Sequence, residues 1–242
     1  MTLPATPPDY HGSWKQVTAP IVKGQAGWPV FALTKGIDAE PKAENLGTFT
    51  VGLHRAVRRW QKNHDLHPDG IAGPKTQLAI LELAAEVADD ASGLPVGLSY
   101  GFVVYEGGGM LAATNWWTPP DQRPGVDCGP AQRRLYGPPF KQSEMRQAFN
   151  PWAALGWAAR LLVGRRDDYL SRRPSLGVRG ALRTAVLAHN APFLAEQIVR
   201  NGRLSTPDAV AQWTVRPEGG SYTHEQWMHE YPKRILSFTA GG

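Results

Sequence analysis

Apolar residues between Phe49 and Asn63 recur at the spacing of a single helical face. They stand at i, i+3, i+4 and i+7, as Leu53, Ala56, Val57 and Trp60. The opposite side is basic, with Arg55, Arg58, Arg59 and Lys62. The pattern predicts an amphipathic helix with a basic outer surface.

A glycine-containing turn and a second apolar pattern follow this helix. The turn spans His67 to Thr76, and a second helix is predicted from about Pro74 to Ala88. Asp89 to Pro95 is a polar stretch of small residues, which favours a boundary between a module at 1–90 and a second module at 91–242.

The apolar run from Leu94 to Tyr105 predicts a helix that ends at Glu106, because three glycines follow, Gly107 to Gly109. The negative end of a helix dipole and a dry surrounding would both favour a protonated carboxyl group at Glu106. An acid that holds its proton near neutral pH is suited to protonating the leaving oxygen of a glycosidic bond. The alternative is an ordinary surface glutamate at a helix end.

Three further helices are predicted downstream. Asn150 and Pro151 form a start signal for an apolar helix through Leu162, and Ala181 to Asn190 forms another. The spacing of Trp227, Tyr231, Ile235 and Leu236 predicts a last helix that closes the domain. The predicted fold class is therefore mainly α, with a small three-helix domain before a larger α-helical domain.

Composition narrows the possible functions. The chain has 242 residues, 42% of them apolar, nine tryptophans and a formal charge of +5, so we expect a folded protein that is attracted to polyanions. The single cysteine, Cys128, excludes an internal disulfide. No metal or other cofactor is predicted. The N-terminus has neither a basic start nor an apolar central region, so we expect no export signal and no membrane insertion.

The first module resembles a known family. Ala56 to Gln61, Leu66, Asp69 to Gly73 and Thr76 are similar to the helical peptidoglycan-binding repeat found beside many wall-degrading enzymes, over about residues 28 to 86. The resemblance implies a wall-binding module that includes Trp60, Gln61, Asp69 and Gly70. The turn is also consistent with a purely structural role for Asp69 and Gly70. A solvated face and a DNA-recognition helix are the alternatives for the basic helix.

The second module resembles the goose-type lysozyme and lytic transglycosylase superfamily. Four elements occur in order: Glu106 with the loop Met110 to Val126, then Asp127 to Gln132, Ala148 to Leu162, and Ala185 to Pro192. The chain departs from the family pattern in two places, since Gly107 replaces a serine and His189 replaces a tyrosine.

The resemblance implies roles for individual residues. Glu106 would be the general acid and Asp127 the second carboxylate, with Asp121 as the alternative. Substrate contacts are implied for Gln132, Asn190, His189, Tyr105, Trp116 and Trp117. A second carboxylate would permit hydrolysis, whereas without one the muramic acid 6-hydroxyl would attack internally, as in a transglycosylase.

Together these features predict a monomeric peptidoglycan-degrading endolysin that cleaves the β-1,4 MurNAc-GlcNAc bond of glycan strands. We expect a phage protein made in the host cytoplasm that reaches the wall after holin-type release, with no nucleic-acid partner. The alternatives are a lytic transglycosylase, a non-catalytic wall-binding virion protein, and a nucleic-acid-binding protein.

Overall fold

The computed structural model describes residues 3–7, 20–39, 46–117, 125–214 and 221–239 of the chain. Helices dominate these residues. The helices are α1 (Trp28–Gly36), α2 (Val51–Asn63), α3 (Pro74–Ser92), α4 (Leu98–Gly107), α5 (Gln142–Phe149), α6 (Pro151–Arg172), α7 (Gly177–Asn190), α8 (Pro192–Asn201), α9 (Thr206–Val210) and α10 (His224–Leu236). The strands are β1 (Thr114–Trp117), β2 (Gly125–Cys128), β3 (Arg133–Tyr136), β4 (Gln212–Thr214) and β5 (Ser221–Thr223). The mainly α fold class is confirmed.

The amphipathic helix predicted from the spacing of apolar residues is α2. It begins after Thr50, whose hydroxyl accepts a hydrogen bond from the backbone N–H of Leu53 at 3.1 Å and so caps the helix. Leu53 and Val57 are buried, as the periodicity predicts, and Gln61 is buried with them.

Helix α3 is longer than predicted and continues through Ser92 instead of ending at Ala88. Asp89, expected in a polar boundary stretch, is fully buried, and both of its carboxylate oxygens accept the backbone N–H of Ser99 at 3.2 Å. A carboxylate at this position satisfies a free N–H at the start of α4. Residues 89–92 therefore belong to helix α3 and not to a stretch between helices.

Helix α3 also packs against α4 and α6, both of which follow residue 90 in the chain. One continuous hydrophobic cluster contains buried residues from both sides of that position, such as Leu81 and Leu155. Trp152 of α6 donates its indole N–H to the carbonyl oxygen of Lys35, next to the end of α1, at 3.0 Å. The division into modules of 1–90 and 91–242 stays a prediction.

Helix α4 confirms that Glu106 lies in the last turn of a helix. The helix begins at Leu98 instead of Leu94, because Gly97 adopts a φ of 91° that a helix does not continue through. Gly108 ends it in the left-handed region, with φ 61°.

The segment predicted as one long loop, Met110 to Val126, contains β1 and the start of β2. Strands β1, β2 and β3 form an antiparallel sheet in that order. Asn115, Asp127 and Arg134 lie directly opposite one another across the three strands. Side chains at such register positions share one face of a sheet.

The centre of the larger predicted module is formed by α6 and α7, which pack against each other. Asn150 caps α6 by accepting the backbone N–H of Trp152, as the Asn-Pro start signal predicts. Helix α10 packs against α4 and α7, which confirms a last helix that closes this region. No helix in the described ranges has the length and apolar character needed to cross a membrane.

Candidate active site around Glu106

The turn between β2 and β3 contacts the end of α4 directly. A Cβ atom at Gly107 would lie 2.6 Å from the carbonyl oxygen of Pro130, and one at Gly129 would lie 1.8 Å from the carbonyl oxygen of Ala148. Only glycine fits where backbones approach this closely. The glycine at 107, which departs from the family pattern, therefore allows the sheet to pack beside Glu106.

Glu106 is buried, with 6% of its surface exposed. Its Oε1 atom accepts two hydrogen bonds, one from the phenolic hydroxyl of Tyr231 and one from Nδ2 of Asn190 at 3.0 Å. Three helices thus meet at this carboxyl group: α4 supplies the acid, α7 the amide and α10 the phenol.

The surroundings raise the pKa of Glu106 to about 7. Burial is the largest cause, because a charge is poorly solvated in the protein interior. The hydrogen bonds from Tyr231 and Asn190 favour the carboxylate and lower the pKa, while the negative charge of Asp127 raises it. Burial outweighs the two hydrogen bonds. Since Oε1 already accepts two of them, Oε2 is the atom best placed to hold the proton.

His189 lies beside that second oxygen, with its Nε2 atom 3.9 Å from Oε2 of Glu106. Burial and the positive charges of Arg165 and Arg134 lower the pKa of His189 to about 3. The imidazole is therefore neutral at neutral pH and forms no ion pair with Glu106. Its ring meets the ring of Phe102 edge to face, with centroids 4.6 Å apart.

Asp127, the predicted second carboxylate, is held by Arg134. The guanidinium donates from Nε to Oδ1 at 2.8 Å and from Nη2 to Oδ2 at 3.0 Å. This two-point geometry fixes the orientation of the carboxylate. The two acids lie close enough for the negative charge of Asp127 to raise the pKa of Glu106.

Gln132 supports the neighbouring turn instead of contacting Glu106. Its Nε2 atom donates to the carbonyl oxygen of Gly129 at 2.9 Å, and its backbone has a φ of 47°. A direct contact between Gln132 and a sugar stays a prediction. The ring of Tyr105 packs edge to face against that of Tyr231, with centroids 5.3 Å apart. The side chains of Trp116 and Trp117, and residue Asp121, lie outside the described part of the chain.

Sequence reasoning did not identify three residues of this site. Tyr231 was predicted as a core position of the last helix, and Arg134 and Arg165 were given no role. Arg165 is half-buried, and its Nη1 atom has no hydrogen-bond partner among the described residues. Only Tyr231 gave a signal, since a buried tyrosine hydroxyl generally needs a partner.

The turn after α2 is organised by Gln61, which is 1% exposed. The two hydrogens of its Nε2 atom are shared among three acceptors, Oδ1 of Asp69, the carbonyl oxygen of Ile71 and Oγ1 of Thr76, at 2.9, 2.9 and 3.1 Å from the nitrogen. Its Oε1 atom accepts the backbone N–H of Gly70 at 2.9 Å. The motif residues Gln61, Asp69, Gly70 and Thr76 therefore build the turn itself.

Trp60 lies at the edge of this module. Its ring is partly buried and stacks on His64, with ring centroids 3.9 Å apart. Flat aromatic surfaces of this kind suit contact with sugar rings, and the wall contact implied for Trp60 stays a prediction.

Comparison with known families agrees with the interpretation of this module. Residues 36–80 match the family described as "Putative peptidoglycan binding domain". The match includes α2, the turn organised by Gln61 and the first part of α3. It supports interaction with the cell wall and peptidoglycan as a partner. No curated protein matches the chain.

Proposed function

We propose that this chain is a peptidoglycan-degrading enzyme that cleaves the β-1,4 MurNAc-GlcNAc bond, with Glu106 as the general acid. The observation that carries the proposal is the burial of Glu106 beside Tyr231 and Asn190, which leaves its pKa at about 7. An acid with this pKa is partly protonated at neutral pH and still gives up its proton readily. The module that matches the peptidoglycan-binding family would keep the enzyme on the insoluble substrate.

The hydrogen bonds at Oε1 support proton transfer from Oε2. As the glycosidic oxygen takes the proton, Glu106 becomes a carboxylate. The donors on Tyr231 and Asn190 are already in place, and their hydrogen bonds strengthen as that negative charge forms. Groups that stabilise charge only as it develops lower the barrier without tightening binding of the ground state.

The fate of the sugar cation distinguishes two reactions. In hydrolysis, Asp127 would take a proton from a water molecule that attacks the anomeric carbon. In the transglycosylase reaction, the 6-hydroxyl of MurNAc attacks that carbon, the Glu106 carboxylate takes the hydroxyl proton, and no water is consumed. Hydrolysis is the proposed reaction. The transglycosylase is the second candidate, because both oxygens of Asp127 already accept hydrogen bonds from Arg134.

Mass spectrometry of the fragments released from purified cell walls tests the proposal. Hydrolysis gives reducing MurNAc ends, and the transglycosylase gives 1,6-anhydro ends that are lighter by one water. The Glu106→Gln variant is expected to release far less of either. Glu86→Gln makes the same change at an exposed position of α3 and serves as the control. Release of peptide fragments alone, or of no fragments, would overturn the proposal.

The endolysin role and holin-type release belong to the same proposal and rest on the wall-degrading resemblance. Expression of the chain in bacterial cells with and without a membrane-permeabilising protein tests them. Lysis only in the presence of that protein is the expected result. A non-catalytic virion protein would cause no lysis in either case.

A further inference from the structure

A cleft of about 490 Å³ lies between α7 and α10 and shares no residue with the carboxyl site described above. Its volume is within the range of small-ligand sites. The residues that line it are Arg179, Gly180, Arg183, Lys233, Leu236 and Ser237.

Three of the six lining residues are basic, and they lie on both sides of a cleft whose surface is mostly apolar. Arg179 and Arg183 lie one turn apart on α7, and Lys233 lies on α10. Among the described residues, no acidic side chain forms an ion pair with either arginine. Lys233 lies 3.7 Å from Glu230, and the lysine side chain is 72% exposed. Like charges four residues apart on a helix repel each other, and a bound anion would offset that repulsion.

Arg183 is already held in place without a ligand. Its Nη2 atom donates to Nδ1 of His229 at 3.0 Å and to the carbonyl oxygen of the same residue at 3.2 Å. The remaining N–H groups of this guanidinium form no other hydrogen bond among the described residues. A donor group that is fixed before binding loses less conformational entropy when a ligand arrives.

We propose that this cleft binds phosphate groups of an anionic cell-wall polymer. Arg179, Arg183 and Lys233 together bring more donors and positive charge to the cleft lining than a single carboxylate would use. A phosphate presents several acceptor oxygens and matches the fork of arginine donors. Apolar surface makes up most of the lining and, as a low-dielectric wall, strengthens the field of the cations beside it. The choice of a wall polymer, rather than another phosphate polymer, rests on the proposed function.

Binding of the full chain to purified walls tests the inference, and the Glu106→Gln background prevents digestion during the assay. The walls carry a phosphodiester-linked polymer, and a second sample has lost that polymer by hydrofluoric acid treatment. The double variant Arg179→Gln/Arg183→Gln is compared with Arg146→Gln/Arg203→Gln, which removes two exposed arginine charges elsewhere. We expect the cleft variant to bind untreated walls about tenfold more weakly than the control variant.

On treated walls the two double variants are expected to bind alike. Equal binding to untreated walls, or an equal difference on both kinds of wall, would overturn the inference. The single variant Arg179→Gln breaks no hydrogen bond described in the structure and should also weaken binding to untreated walls. If the double variant does not fold, this single variant provides the test.

Two soluble probes identify the polymer class. Poly(glycerol phosphate) is expected to bind the parent chain more tightly than a DNA oligonucleotide of equal phosphate content, and the opposite order would overturn the choice of a wall polymer. Because these assays use an inactive background, their result is independent of whether the unmodified chain cleaves glycan strands.

Discussion

Tyr231 donates its phenolic hydrogen to Oε1 of Glu106, although 125 positions separate the two residues in the chain. Burial and the nearby Glu106 raise the pKa of Tyr231 well above its ordinary value, so the phenol is protonated and donates at neutral pH. Trp227 packs against the Tyr231 ring at a centroid distance of 4.9 Å and helps to hold it. Burial raises the pKa of Glu106, and the hydrogen bond from Tyr231 partly offsets that rise.

Replacing Tyr231 with phenylalanine removes this donor and keeps the ring. The pKa of Glu106 should rise by about one unit, because a hydrogen bond that favours the carboxylate is lost. The pH at which activity falls on the alkaline side should increase by the same amount, while the maximum rate falls about tenfold. Muropeptide release measured across pH gives both values.

Tyr100→Phe is the matched control, since the Tyr100 ring packs on Phe238 at the other end of α4. Its profile should match that of the parent. If activity of Tyr231→Phe falls at the same pH as that of the parent, or at a lower pH, the hydrogen bond from Tyr231 does not lower the pKa of Glu106.

Asp127 and Arg134 should shift the Glu106 pKa in opposite directions. Asp127→Asn removes a negative charge that raises this pKa, so the pKa should fall, whereas Arg134→Gln leaves that charge uncompensated, so it should rise. We expect about half a unit each way. NMR titration of the Glu106 carboxyl carbon measures the shifts without relying on activity.

Arg133→Gln provides the comparison for this pair. Arg133 neighbours Arg134 on β3 but contacts Gln147 and the Trp157 ring. The Arg133→Gln variant should leave the pKa of Glu106 unchanged. Shifts in the same direction for Asp127→Asn and Arg134→Gln would show that Arg134 does not compensate Asp127.

Gly107→Ser introduces the serine that follows the acid in the superfamily pattern that the second module resembles. Here it should destabilise the fold by about 1–3 kcal/mol, because the new Cβ atom would overlap the carbonyl oxygen of Pro130. Chemical denaturation measures the free energy of unfolding. Gly164→Ser is the control, because a Cβ atom there meets no neighbour within 4 Å. Equal stability of the two variants would mean that the turn between β2 and β3 moves to accommodate the new Cβ atom at little cost.

Local signals were sufficient to predict some of the helices and their ends. The periodicity of Leu53 and Val57 predicted α2, and the glycines after Glu106 predicted the end of α4, because helix periodicity and termination depend on residues within a few positions. The interpretation of Glu106 as a general acid also needed the downstream resemblance, and it stays a prediction.

Other features depend on contacts between distant segments. Strands β1 and β2 have four residues each, too few for an alternation pattern to distinguish them from a loop. The burial of Asp89 could not be predicted from its neighbours, because it depends on the start of α4 as a hydrogen-bonding partner. Tyr231 and Arg134 join the site only when α10 and β3 pack beside α4 and β2.

Gln61→Leu tests the structural role of the peptidoglycan-binding motif. The change leaves Gly70 N–H and Thr76 without their buried partner, so we expect a loss of about 2–4 kcal/mol in the free energy of unfolding. Chemical denaturation is the measurement. Gln147→Leu, on the exposed face of α5, should cost far less. Similar losses in both variants would argue against an organising role for Gln61.

The pH dependence of muropeptide release by the parent and by Glu106→Gln tests the central claim most directly. Because the acid must be protonated to act, kcat/KM of the parent should fall as pH rises through about 7. Glu106→Gln should be slower by about 10²–10⁴-fold at every pH while remaining folded, and Glu86→Gln should behave as the parent does. A Glu106→Gln enzyme as fast as the parent, or a parent rate that does not fall between about pH 6 and pH 8, would contradict the account.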